Sequence, residues 1–230
     1  MRPAVAVMAK APGLGPVKSR LHAALTPERA TELYRCFLLD RLDALAGLAG
    51  VEPVVAFTPA EGREVLAALV PPGFRLIAQR GRDLGERLSN VLTGLLDEGH
   101  HGAIAVDSDS PTLPMSCVRE AADRLEGGAE LVLGPCEDGG YYLIGLRAPQ
   151  PELFEGIPWS TERVLGLTLE RARDRKLHTH LLPAWFDIDT EPDLRRLHAE
   201  MMASGRGPSR TFAFVRDLYG TGGTASPARL

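Results

Sequence analysis

Short apolar runs alternate with longer amphipathic stretches from the first residues to about residue 203. Residues 3–8 (PAVAVM) are an apolar run followed by a Gly/Pro-rich stretch, 9–16, which reads as a buried strand and a loop. Thr26 is placed to cap a helix, with Pro27 in its first position and Glu28 in its first turn. Leu33, Phe37, Leu38 and Leu42 keep near-helical spacing along it to about Leu48. The alternation continues with strands at 53–57, 74–79, 103–106, 131–133, 141–146 and 179–182. Helices fall at 61–70, from the 79–84 turn to about 98, and at 114–125, 161–175 and 190–203. Pro71 and Pro72 end the helix at 61–70, and Ser160 or Thr161 is expected to cap the one at 161–175. Thr190 and Asp193 form a capping-box-like pair at 190–203.

This order predicts an α/β fold, an αβα sandwich around a mixed, mainly parallel sheet. A single domain is expected over 1–204. Residues 205–230, rich in Gly, Pro, Ser and Arg, read as a loosely ordered extension in which FAFVRDLY can dock as one more short element. In such sheets ligands bind beyond the C-terminal ends of the strands, so those positions are the ones to search for chemistry.

Composition narrows the class. With 44% hydrophobic and 24% charged residues the chain is ordinarily globular. A net charge of −4 argues against a broad nucleic-acid-binding surface but not against a small anion pocket. Cys36, Cys117 and Cys136 are an odd, widely spaced set without a CxxC pair, which fits a reducing, cytoplasmic compartment. The apolar start is too short for a signal peptide, and no run reaches the roughly 18 apolar residues of a membrane span. Among the 26 basic residues only Lys10, Lys18 and Lys176 are lysines, and two of them share one loop.

That loop, AKAPGLGPVKSRL, follows the first strand. Pro12 and Gly13 shape a backbone able to approach an anion closely, while Lys10, Lys18 and Arg20 neutralise it. The plainer reading is a surface loop with ordinary charges, and GxxxxGK[ST] is absent. After the 103–106 strand come Asp107 and Asp109. Two carboxylates spaced i, i+2 can share a divalent cation, or one can hold metal and the other a ribose hydroxyl. A capped turn is the bland alternative. Glu137 and Asp138 sit in the glycine-flanked loop 134–140, and Cys136 beside them reads as a small buried hydrophobe. Asp187 and Asp189 alternate before Thr190, and Asp189 can serve capping or bring a second metal ligand. Arg80, Arg82 and Arg87 can pair with phosphate or a substrate carboxylate, or form a solvated basic turn. His178 and His180 are read as structural.

AKAPGLGPVKSRL, QRGRDLGER, DSDSPTLP, GPCEDGGYYLIGL, IPWSTERVL and FDIDTEPDL, in this order, resemble a family of small bacterial proteins in the GT-A nucleotide-diphospho-sugar transferase superfamily, usually labelled glycosyltransferases. The resemblance spans roughly residues 3–200. VKSRL is similar to a segment of 2-phospholactate guanylyltransferases, and DIDTEPDL to one of molybdenum-cofactor nucleotidyltransferases. The resemblance implies a Rossmann-like GT-A fold. It implies that Asp109 and Asp189 hold a divalent metal, magnesium or manganese, and that Lys10, Lys18 and Arg20 hold nucleotide phosphates. It puts Glu137, Asp138, Trp159, Ser160 and Thr161 on the acceptor side. The GGxGxR of classical pyrophosphorylases is missing after the first strand.

The expected partners are a nucleotide or nucleotide-sugar and a small acceptor. Glycosyl transfer from a nucleotide-diphospho-sugar is the main expectation, with Glu137, Asp138 or Asp107 as base. Nucleotidyl transfer from a triphosphate to a phosphorylated or carboxylate acceptor, releasing pyrophosphate, is the alternative. A non-catalytic nucleotide sensor is a third reading.

Overall fold

The structure, a computed structural model, describes residues 1–220. Residues 221–230 of the expected extension lie outside it. Seven strands are β1 (Ala4–Lys10), β2 (Glu52–Thr58), β3 (Arg75–Ala78), β4 (Ala103–Val106), β5 (Leu131–Pro135), β6 (Tyr141–Leu146) and β7 (Thr179–Leu181). Seven helices are α1 (Pro27–Ala46), α2 (Arg63–Ala67), α3 (Leu84–Asp97), α4 (Met115–Glu126), α5 (Val164–Asp174), α6 (Glu191–Ser204) and α7 (Ser209–Tyr219).

The strands form one sheet in the order β3-β2-β1-β4-β6-β5-β7. All neighbours are parallel except that β6 runs antiparallel to both β4 and β5. This is the mixed, mainly parallel α/β sheet read from the sequence. Along β1 the side chains alternate between two cores. Val5 and Val7 meet Leu38, Leu42 and Leu45 of α1 and Val118 of α4. Ala4 and Ala6 meet Leu88, Leu92 and Leu95 of α3. Burial on both faces explains why β1 is a continuous apolar run rather than an alternating one.

A third core lies outside the sandwich, where Leu33 and Phe37 of α1 pack with Leu194 and Leu197 of α6 and Phe214 and Val215 of α7. The FAFVRDLY stretch is thus part of a docked helix. Asp40 of α1 caps it across the interface, accepting from the backbone N–H groups of Arg210 (3.2 Å) and Thr211 (2.8 Å).

The helix expected at 61–70 is a 3₁₀ turn, Ala60–Gly62, followed by the short α2. The helix expected from Thr161 begins at Val164, with no side chain capping it. Thr161 Oγ1 instead donates to the Pro158 carbonyl at 2.7 Å, and Ser160 takes a left-handed φ of 65°. At α6 the anticipated pair forms, with the Thr190 N–H donating to Asp193 Oδ2 at 2.7 Å.

Candidate active site

The chain leaves β1 toward β2 and β3 and returns on its other side as β4, so β1 and β4 flank the switch point of the sheet. In open α/β sheets a crevice for ligands opens there, beyond the strand C-termini. Lys10 is the last residue of β1, and Asp107 follows β4 directly. Tyr34 of α1, 3% exposed, bridges the two strand ends. Its hydroxyl accepts from the Lys10 N–H at 2.8 Å and lies 3.2 Å from both the Lys10 carbonyl and Ser108 Oγ. Ser108 Oγ also donates to the Met8 carbonyl at 3.1 Å. Burial pushes the Tyr34 phenol up, so it stays a neutral donor.

The basic loop and two acidic loops converge above this floor. Lys18 Nζ donates to Asp189 Oδ1 at 2.9 Å and lies 3.2 Å from Asp109 Oδ1. Burial alone pulls the ammonium toward neutrality, but the Asp109 and Asp189 carboxylates outweigh it, and Lys18 is held above the usual lysine range. Arg20 Nη1 reaches within 3.6 Å of Asp189 Oδ2. The backbone joins the same loops, since the Ile188 N–H donates to the Asp109 carbonyl at 3.1 Å. Lys18, Asp109 and Asp189 come from three distant parts of the chain and meet here, as does Arg20. The side chain of Lys10 is exposed, Pro12 is half-buried, and Gly13 turns the loop outward with φ 84°.

Asp107 faces inward. It accepts from Ser110 Oγ at 2.6 Å, and Arg41 of α1 lies 3.8 Å from its Oδ1. Burial raises its carboxyl to about 6, against the opposing pull of Arg41. Arg41 is itself buried and donates to the carbonyls of Ser110 and Leu113, fixing the turn after β4 from behind. Neither Tyr34 nor Arg41 was visible as a site residue in the sequence. Arg41 leaves a signal, a charge inside the apolar stripe of α1, whereas Tyr34 next to Leu33 leaves none.

Beside this cluster, Cys136, Asp138 and Asp187 bring one ligand atom each within 4.8 Å of one another. Burial, then Asp189 and Asp138, push Asp187 up to about 7. Burial, then Asp107 and the neighbouring carboxylates, push the Cys136 thiol up, which leaves it a poor nucleophile. Glu137 is turned to the surface and ion-paired with Arg196 of α6 at 2.7 and 3.2 Å, and Arg196 holds its carboxyl below the usual range. Arg82 is also exposed and pairs with Glu86 in the first turn of α3.

Of the residues expected on the acceptor side, Trp159 is packed into an aromatic wall. Trp159 packs against Tyr141 (6.4 Å between ring centroids, edge-on) and Phe154 (6.5 Å, stacked). A Cβ on Gly85, at the start of α3, would lie 2.5 Å from Trp159 Nε1. Gly139, at φ 88°, is pressed against the segment after Trp159, so that a Cβ there would lie 2.2 Å from the Glu162 carbonyl oxygen. Ser160 and Thr161 follow Trp159 as exposed residues, and Asp138 turns back to accept from the Gly140 N–H at 2.9 Å.

The donors suit a divalent cation. Asp107 Oδ1 and Asp109 Oδ1 are buried without an aligned hydrogen-bond donor, and oxygen-rich sets favour hard cations, with Cys136 a softer donor alongside. The cluster of Cys136, Asp138 and Asp187 is able to coordinate such an ion.

Fold and relatives together define a nucleotide-utilising transferase of the GT-A-like superfamily of nucleotide-diphospho-sugar and nucleotidyltransferases. Residues 41–161 match the model of the family described as "Uncharacterized protein conserved in bacteria (DUF2064)", and the chain belongs to that family. It is 37% identical over 226 residues to the 3-phospho-D-glycerate guanylyltransferase of Phenylobacterium zucineum (strain HLK1), covering 94% of this chain and 96% of the relative. A solved structure from Desulfovibrio desulfuricans G20, described as a candidate nucleotide-diphospho-sugar transferase, is 33% identical. It superposes with a TM-score of 0.87 over 94% of both chains. The CTP complex of CMP:2-keto-3-deoxy-manno-octonic acid synthetase, at 14% identity, shares the fold with a TM-score of 0.58 over 89% of this chain and all of that one. Among the described residues no helix is long and apolar enough to cross a membrane.

Proposed function

We propose that the chain is a nucleotidyltransferase acting on a nucleoside triphosphate and a small phosphorylated carboxylate. An anionic oxygen of the acceptor attacks the α-phosphorus, the bond from that phosphorus to the oxygen bridging to the β-phosphorus breaks, and pyrophosphate leaves. The reading is carried by one observation: the basic loop after β1 meets Asp109 and Asp189 at the β1/β4 crevice through Lys18. A carboxylate or phosphate acceptor is already ionised at neutral pH, so the reaction asks for charge neutralisation and alignment more than for a base. The carboxylates present fit that demand. Glu137 is occupied by Arg196, and Asp109 and Asp189 are paired with Lys18.

Asp109 and Asp189 would hold a magnesium or manganese ion, which when bound neutralises phosphate charge. Lys18, Arg20 and Lys10 grip the phosphates, with Pro12 and Gly13 shaping their loop. Asp107, fixed from behind by Arg41, sets the turn that presents Asp109 and is the candidate for a ribose hydroxyl. Trp159, Ser160, Thr161 and Asp138 border the acceptor. Arg82 comes from the neighbouring loop and would have to leave Glu86 to reach a ligand.

The relative's name makes GTP and 3-phospho-D-glycerate the first pair to test. With magnesium they should yield pyrophosphate and a guanylylated product. Asp109→Ala and Asp189→Ala should each lower the rate at least about a hundredfold. Full activity in either variant removes that residue from the site. Glycosyl transfer remains the second reading, favoured by the description of the 33%-identical structure. Release of a nucleoside diphosphate from a nucleotide sugar, with no pyrophosphate from any triphosphate, would establish it instead.

A further inference from the structure

The two carboxylates assigned above to a divalent cation are already engaged by a cation of the protein's own. Lys18 Nζ is 3.2 Å from Asp109 Oδ1 and 2.9 Å from Asp189 Oδ1. The lysine side chain is 3% exposed, whereas those of Asp109 and Asp189 are 38% and 35% exposed. The ammonium therefore sits beneath the carboxylates and leaves their outer sides open. Its approach runs over the Phe37 ring, 5.9 Å from the centroid. The Lys18 backbone holds a left-handed φ of 50°, a conformation long side chains seldom adopt without surrounding support. Buried Val17 and Leu21 supply that support, so the backbone is anchored and any re-aiming is confined to the flexible four-carbon stem.

A divalent ion held by the open sides of the same two carboxylates would lie within a few ångströms of the ammonium beneath them. Like charges a few ångströms apart in a half-buried site repel strongly. A triphosphate changes the balance, because it adds negative charge for the metal and offers the ammonium new partners. We propose that Lys18 is a resident counter-ion that makes divalent-cation binding conditional on the nucleotide. Its ammonium holds Asp109 and Asp189 together until metal and triphosphate enter, then turns to the phosphates. The second half rests on the nucleotidyltransferase reading. The competition between cations rests on the Lys18 contacts alone.

The test is manganese binding, read as loss of the free-ion electron paramagnetic resonance signal, on the full chain without nucleotide. Lys18→Met should bind manganese at least about tenfold more tightly than the wild type, and Lys18→Arg, which keeps the charge, should stay as weak as the wild type. Adding Asp189→Asn to Lys18→Met should abolish the gain, locating the ion. The β,γ-imido analogue of GTP should tighten manganese binding at least about tenfold in the wild type and much less in Lys18→Met. A folded Lys18→Met protein that binds manganese no more tightly than the wild type overturns the proposal. Should that variant fail to fold, Lys18→Gln, which retains a hydrogen-bond donor, carries the same expectation. A gain in Lys18→Met with no response of either protein to the GTP analogue supports the counter-ion role and overturns the choice of guanine triphosphate.

Discussion

Replacing Tyr34 by Phe removes one oxygen and no packing volume, at the point where β1 and β4 part. That oxygen accepts the Lys10 N–H at 2.8 Å and donates its single proton to the Lys10 carbonyl or Ser108 Oγ, each 3.2 Å away. In the variant the Lys10 N–H is left without its partner, at a cost of about 1–3 kcal/mol. The two acceptors lose less, because Ser108 keeps its bond to the Met8 carbonyl. A net loss of about 2 kcal/mol lowers the melting temperature by about 4–8 °C for a chain of this size. Function should suffer more specifically. The bridge ties the strand that ends in the basic loop, proposed above to grip the triphosphate, to the turn that presents Asp109. Loosening it should raise KM for the triphosphate and leave KM for the acceptor nearly unchanged. Circular dichroism melting and initial-rate pyrophosphate release measure the two effects. A variant melting within about 1 °C of the wild type with unchanged triphosphate KM would refute the argument that Tyr34 positions the two strand ends.

Two further perturbations probe the periphery of the site. Asp40→Ala removes the cap that α1 supplies to α7 through the N–H groups of Arg210 and Thr211. It should cost about 2 kcal/mol and open the 205–220 segment to protease before the rest of the chain, and equal cleavage rates in wild type and variant would argue against that docking. Gly85→Ala tests the proposal that the Trp159 wall borders the acceptor. Alanine normally strengthens a helix by about 1 kcal/mol over glycine, but here its Cβ would lie 2.5 Å from Trp159 Nε1. The indole must shift, so the tryptophan emission should change and KM for the acceptor should rise, while a merely stabilised protein with unaltered emission would separate Trp159 from α3.

What the sequence revealed and what it hid divide along a physical line. Features decided within a few residues were legible: the apolar run of β1, the Thr26 cap of α1, the Thr190–Asp193 pair of α6, and the acids directly after β4. Strand direction was less so. The Tyr141–Leu146 run is buried on both faces whichever way it points, and only the short connection from β5, too brief for a crossover helix, dictates that β6 is antiparallel. Most of the site depends on residues far apart in the chain. Lys18 and Asp189 are 171 positions apart, and nothing local announces that the lysine lies under the very carboxylates expected to take a metal. Arg41 and Tyr34 act from the buried face of α1, where the pattern registers only whether a position is apolar. The same helix thus builds the core with Leu38 and Leu42, fixes the turn after β4 with Arg41, ties the strand ends with Tyr34 and anchors α7 with Asp40. A perturbation of α1 should therefore register at the crevice and at the C-terminal helix together, which makes it the element through which stability and chemistry are coupled in this chain.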